Sequence, residues 1–235
     1  MKIFLVVLLI LMAGCKSEGD KKINKIKEAS GISYCKDSNT LLVVGDEGDL
    51  YEILPSGKIL SKHHLGDFDL EGVVCDGKRA ILAEESGYLL VVDRESFKFN
   101  RLKIDGFKFN KKRGIEGIAK VGDDFVLAIQ AKKRKKAKLL IVEIDKNGVK
   151  LKRVIDSGIV DSAGVEYRDG VLFVISDKKD KIYLFDLDKK RVIKKIKLPK
   201  SAKFAQEGIT FDKNGDIYLA NDDGGVFKFS PKELF

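Results

Sequence analysis

Five copies of one short pattern recur along the chain, and no other feature limits its fold as strongly. They are Glu28-Ala-Ser-Gly-Ile-Ser-Tyr, Asp69-Leu-Glu-Gly-Val-Val, Gly114-Ile-Glu-Gly-Ile-Ala, Asp161-Ser-Ala-Gly-Val-Glu-Tyr and Ala205-Gln-Glu-Gly-Ile-Thr-Phe. Aligned on Gly31, Gly72, Gly117, Gly164 and Gly208, they step by 41, 45, 47 and 44 residues. That period suits a four-stranded antiparallel propeller blade. Within a repeat, short apolar or alternating runs such as Leu41-Leu-Val-Val and Leu50-Tyr-Glu-Ile-Leu are cut by turn clusters such as Asp37-Ser-Asn-Thr and Pro55-Ser-Gly. Such runs and breaks mark strands rather than helices. The expectation is an all-β, five-bladed β-propeller over residues 23–235. Its last repeat is one strand short, and the alternating segment Lys22-Ile-Asn-Lys-Ile-Lys is expected to supply that strand and close the ring.

The N-terminus reads as a targeting segment. Lys2 precedes an apolar run, Ile3 to Met12, and then Ala13-Gly14-Cys15. A positive start, a short apolar stretch and small residues at the cut make a secretory signal, and the run is too short to span a hydrocarbon core of about 30 Å. Met-Ala-Gly-Cys is similar to the lipobox of bacterial lipoproteins, which implies a signal peptide at 1–14, a lipidated Cys15 and a tether to residue 22. Lys16 after the acylated cysteine favours the outer over the inner membrane. The remaining cysteines, Cys35 and Cys75, sit in apolar segments and are expected to be free buried thiols, with a single disulfide as the alternative.

The repeat also aligns polar residues. The position before each glycine carries Ser30, Glu71, Glu116, Ala163 and Glu207, and the end of each second strand carries Asp46, Glu85, Gln130, Asp177 and Asp222. The start of one strand and the end of its antiparallel neighbour lie on the same face, so both columns are expected around one mouth of the channel. Seven carboxylates there (Glu71, Glu116, Glu207, Asp46, Glu85, Asp177 and Asp222) must hold protons, pair with bases or bind a cation. An all-oxygen set suits Ca²⁺. The plainer alternative is that the acids tie neighbouring blades together. The only histidines, His63 and His64, fall on an outer strand and read as surface rather than as a metal pair.

Two basic stretches flank the same face. Lys111, Lys112 and Arg113 lead into the third repeat, and Lys132 and Lys133 open a lysine run after that unit's second strand; both are candidate contacts for an anionic ligand. The chain carries a formal charge of +9 but mixes 45 basic with 36 acidic residues and has no Trp, which argues against a nucleic-acid platform.

The repeated starts, together with Val43-Val-Gly-Asp-Glu-Gly, Leu82-Ala-Glu-Glu and Gln206-Glu-Gly-Ile, resemble the SdiA-regulated family of bacterial envelope proteins, from about Glu28 to Phe229. The resemblance implies a β-propeller in the cell envelope and no assigned activity. Ala163 and Gln130 depart from its pattern, the first lacking a polar group and the second replacing an acid.

Two functions are therefore expected to compete. One is a membrane-anchored, monomeric envelope protein that binds a small anionic ligand or an envelope partner at the channel face, with Ca²⁺. The alternative is a calcium-dependent hydrolase of phosphoesters, by analogy with phytase-type propellers. No catalytic motif such as a nucleophile elbow, a P-loop or His-Glu-x-x-His is present.

Overall fold

A computed structural model describes residues 21–109, 114–146, 148–198 and 205–235. The segment read from the sequence as a signal peptide, Cys15, Lys111, Lys112 and Arg113 lie outside them.

The described chain is all-β apart from two single 3-10 turns and one short helix. After β1 (Lys22–Asn24), four-stranded antiparallel units follow one another in sequence. The first is β2 (Ala29–Cys35), β3 (Thr40–Gly45), β4 (Asp49–Ile53) and β5 (Ile59–His64). The second is β6 (Leu70–Asp76), β7 (Arg79–Glu84), β8 (Tyr88–Asp93) and β9 (Phe99–Asp105). The third is β10 (Ile115–Val121), β11 (Asp124–Ile129), β12 (Lys138–Asp145) and β13 (Gly148–Asp156). The fourth is β14 (Ser162–Arg168), β15 (Val171–Ser176), β16 (Lys181–Asp186) and β17 (Arg191–Lys197). The fifth is β18 (Gln206–Phe211), β19 (Ile217–Asn221) and β20 (Gly225–Phe229), completed by β1, which pairs antiparallel with β20. The N-terminal segment thus supplies the missing strand, beginning at Lys22, the first residue of the alternating segment expected to do so. The chain then ends in α1 (Pro231–Leu234), capped by Ser230 and Glu233.

These units form four sheets rather than five. The second and third merge into one eight-stranded sheet because β13 pairs parallel with β9 at Val149↔Ile104 and Lys150↔Asp105. Two pairs of residues are enough to join edges that would otherwise stay open.

Burial follows strand order. In the first unit β2 and β3 are buried throughout, whereas β5 alternates between exposed and half-buried residues. The apolar side chains of consecutive units pack against each other: Leu89 and Ile104 against Ile118 and Leu127, Val126 and Ile155 against Val174 and Phe185, and Tyr218 and Val226 against Ile32 and Leu41. The last contact joins the fifth unit to the first, so the packing closes on itself.

The repeat glycines sit where the first strands converge. A Cβ on Gly31 would lie 2.6 Å from Gly72 Cα, and one on Gly164 2.6 Å from Gly208 Cα; Gly208 in turn approaches Gly31 Cα at 3.1 Å. A side chain has no room in this crowding, which is why the same position is glycine five times. The gap between these strands is only about 10 Å³, room for one water at most. The two ends of the ring are therefore separate places.

Candidate functional site

At the end where the first strands begin, one backbone contact repeats. The N–H of Glu85 donates to Asp69 O (2.9 Å), Gln130 to Gly114 O (3.1 Å), Asp177 to Asp161 O (3.2 Å) and Asp222 to Ala205 O (3.0 Å). These bonds put the second polar column in register across four units, beside the starts of the first strands.

The acids here act on one another. Burial, with Glu116, Asp69, Glu207 and Glu85 around it, pushes the Glu71 carboxyl up to about 10. Burial also raises Glu116 to about 8, with Glu207, Glu85 and Asp69 adding repulsion, and raises Glu207 to about 8, with Asp177 and Asp222 adding more. Asp46 rises to about 6 through burial and through the charge and hydrogen bond of Glu28. Glu85 rises through burial and its bond to Asp69, and Asp177 and Asp222 rise chiefly through burial. All seven predicted acids therefore prefer a proton or a cation in this setting.

Sequence reasoning missed two contributors. Lys178, on the turn after β15, eases Glu116 and Glu207 and lies 3.7 Å from Asp161. Glu28, Asp69 and Asp161 form a third polar column three residues before the repeat glycines, and they open three of the repeat motifs. Ser30 donates to Glu28 O (3.1 Å), and Ala163 contributes only its buried methyl. Lys132 and Lys133 are exposed in the loop before the 3-10 turn Arg134–Lys136.

The donor set is all oxygen, and Asp46 Oδ1 is buried without a hydrogen-bond partner. Among the described residues, however, no three of these acids bring oxygens within 4.8 Å of one another; the one group that compact is Cys35, Asp37 and Cys75. That group is no metal site, because Cys35 and Cys75 form a disulfide. This corrects the expectation of free thiols. The ring sets β2 beside β6, bringing the two Cα atoms to 5.3 Å, an ordinary span for a bridge. His63 stacks on Phe97 at 3.3 Å and His64 pairs with Asp49 at 3.2 Å, both on outer strand β5 as read from the sequence.

The profile of the SdiA-regulated family matches residues 12–230. The chain belongs to the SdiA-regulated family. No curated protein matches it. Among solved structures it is similar to glutaminyl cyclase of Myxococcus xanthus, with a TM-score of 0.67 at 14% identity over 88% of this chain and 97% of that one. It is also similar to streptogramin B lyase, with a TM-score of 0.51 at 12% identity over 89% of this chain and 72% of that one. At these identities the likeness concerns the propeller-like all-β fold alone.

Proposed function

We propose that this member of the family is a lipid-anchored envelope binding protein, a five-bladed propeller whose acid-lined end seats Ca²⁺ and, over it, a small anionic ligand or an envelope partner. Support for five blades comes from the five glycines meeting in a closed ring. The parallel β13–β9 contact then joins two blades only at their outer edges. The lipobox-like Met-Ala-Gly-Cys15 supports the anchor, and the Cys35–Cys75 disulfide suits an oxidising compartment outside the cytoplasm.

The observation that carries the cation is the crowding of Glu71, Glu116 and Glu207, each raised by burial and by neighbouring carboxylates, with Lys178 partly compensating Glu116 and Glu207. A hard divalent cation would be held by these carboxylates with Asp46, Glu85, Asp177 and Asp222, replacing protons and relieving repulsion. The carboxylates would have to draw closer around the ion than they stand. Calorimetric titration of chelator-stripped protein with CaCl₂ tests this, with a melting curve in parallel. Sub-millimolar binding that raises the melting temperature, and is lost in Glu71→Gln/Glu207→Gln, is expected. No heat and no shift would overturn it.

A further inference from the structure

The opposite end of the ring holds a cavity of about 460 Å³, well within the range of small-molecule sites. Its walls include Tyr34, Tyr167, Phe211 and Lys120, all at or just beyond the ends of first strands. Glu166 on β14 lies in this cavity. Its Oε2 accepts from the Thr210 hydroxyl at 3.1 Å, and that hydroxyl accepts the Tyr34 N–H at 3.1 Å. The single Thr210 proton is thereby committed to Glu166. The backbone N–H of Tyr167 also donates to this carboxylate.

What Glu166 lacks is an opposite charge in contact. Among the described residues it has no basic side chain within ion-pair distance. Burial pushes its carboxyl up to about 7, eased only by the Thr210 and Tyr167 hydrogen bonds and the longer-range pull of Lys36 and Arg168. A cation placed against it would favour the ionised form. Other charges around the cavity are already balanced, three against three: Asp76 holds both Arg79 and Lys120, and Arg94 holds both Asp37 and Glu52. Arg168 pairs with Asp169 and covers the Phe211 ring. Lys36 lines the cavity, is exposed and has no ion pair among the described residues. The cavity thus presents one uncompensated carboxylate in its wall and one free ammonium at its rim, between aromatic walls.

We propose that this cavity binds a small zwitterion, an amino acid or dipeptide, with its ammonium group on Glu166 and its carboxylate at Lys36. Anions alone meet repulsion from Glu166, and a simple amine leaves Lys36 unused. The site is independent of the calcium reading, since the closed glycine ring separates the two ends.

The test is calorimetric titration of the whole protein with glycylglycine, beside N-acetylglycylglycine and glycylglycine amide. Glycylglycine is expected to bind. Blocking its amine, or Glu166→Gln, should each weaken binding roughly tenfold or more, since either removes a charge-assisted hydrogen bond. Blocking its carboxylate, or Lys36→Met, should weaken it about two- to fivefold, as suits an exposed charge. Melting curves identify any variant that fails to fold. If Glu166→Gln does so, the blocked peptides and Lys36→Met carry the test. No heat with glycylglycine, or equal binding of the N-acetylated form, would overturn the proposal. Calcium binding should be unchanged in Lys36→Met, so failure here and failure at the acid end are distinguishable.

Discussion

At the end of the ring where the first strands begin, Glu71, Glu116 and Glu207 crowd together with Lys178 as a partial offset, and every one of them is pushed towards its neutral form. At the other end the five first strands are tied to one another, β10 through Lys120 on Asp76 of β6. Cys35 is bonded to Cys75, and Arg94 reaches Asp37 (3.0 Å), Glu52 (3.1 Å), Ser38 (3.0 Å) and the carbonyl of Gly77 (2.7 Å). Thr210 bridges Glu166 and the Tyr34 amide, spanning three first strands. One end stores repulsion and the other supplies cohesion. An end that is unfavourable without a partner is where a ligand can contribute free energy, and the tied end keeps the ring closed meanwhile.

The largest expected effect comes from titrating the repulsive end. For carboxyls whose folded values lie near 8 to 10, the unfolded chain is ionised from about pH 4.5 upward while the folded chain keeps its protons. The folded state then binds more protons, so stability falls as pH rises, by about 1.4 kcal/mol per pH unit for each proton held in excess. The loss should run from about pH 5 to about pH 10, steepest below about pH 8 where all three hold protons, and level off above the folded values. Calcium-free protein should therefore melt at lower temperature at pH 9 than at pH 5, and Glu71→Gln should flatten that slope and raise the pH 9 melting point. A melting temperature that climbs over this range would show the acids to be satisfied by bases rather than by protons.

Removing the covalent tie tests the other end. The bridge closes a span of 40 residues. Constraining a loop of that length in the unfolded chain stabilises by about 3 to 4 kcal/mol. Cys35→Ser/Cys75→Ser should move the urea midpoint down accordingly, with little change in the pH slope. An unchanged midpoint would mean that Arg94 and Thr210 hold this end without the bridge.

Much of this contrast was legible in the repeat. The glycines, the two polar columns and the orphan strand at Lys22 all follow from counting along the chain, because identical units must place identical positions at one radius. What counting did not reach arises from contacts between units. The β9–β13 pairing depends on how far two outer strands extend, and the Cys35–Cys75 bond depends on β2 lying beside β6. Cys35 is four residues past its glycine and Cys75 three past its own, so no shared column marks them as partners. Glu166 escaped for a similar reason: it stands two residues past Gly164, where the other repeats carry Ser33, Val74, Ala119 and Thr210. A singular residue in a repeat gives no periodic signal, and only the closed ring shows what surrounds it.

Adjacent residues allow the contrast to be sharpened within one unit. Glu84 and Glu85 follow each other at the end of β7, yet they titrate in opposite directions. Glu84 points between strands, where Arg101 on β9 grips it through Nε at 2.7 Å and Nη2 at 2.8 Å, and Ser86 donates to it as well. Although burial works to raise its carboxyl, these bonds bring it below the ordinary value, whereas Glu85 is raised by burial and by Asp69. Arg101 also lies 3.5 Å above the Tyr88 ring. Arg101→Met should leave Glu84 buried and unpaired, making it a second acid of the channel kind. Breaking a fully buried pair costs 3–5 kcal/mol; with the Arg101 side chain 36% exposed, about 2 kcal/mol is expected. Adding Glu84→Gln to Arg101→Met should recover part of that loss, because the unpaired charge is then gone. Urea unfolding of the two variants measures it. If the single variant is as stable as the parent, then a protonated Glu84 is tolerated as readily as Glu71 is, and the distinction between paired and repulsive acids does not hold within this unit.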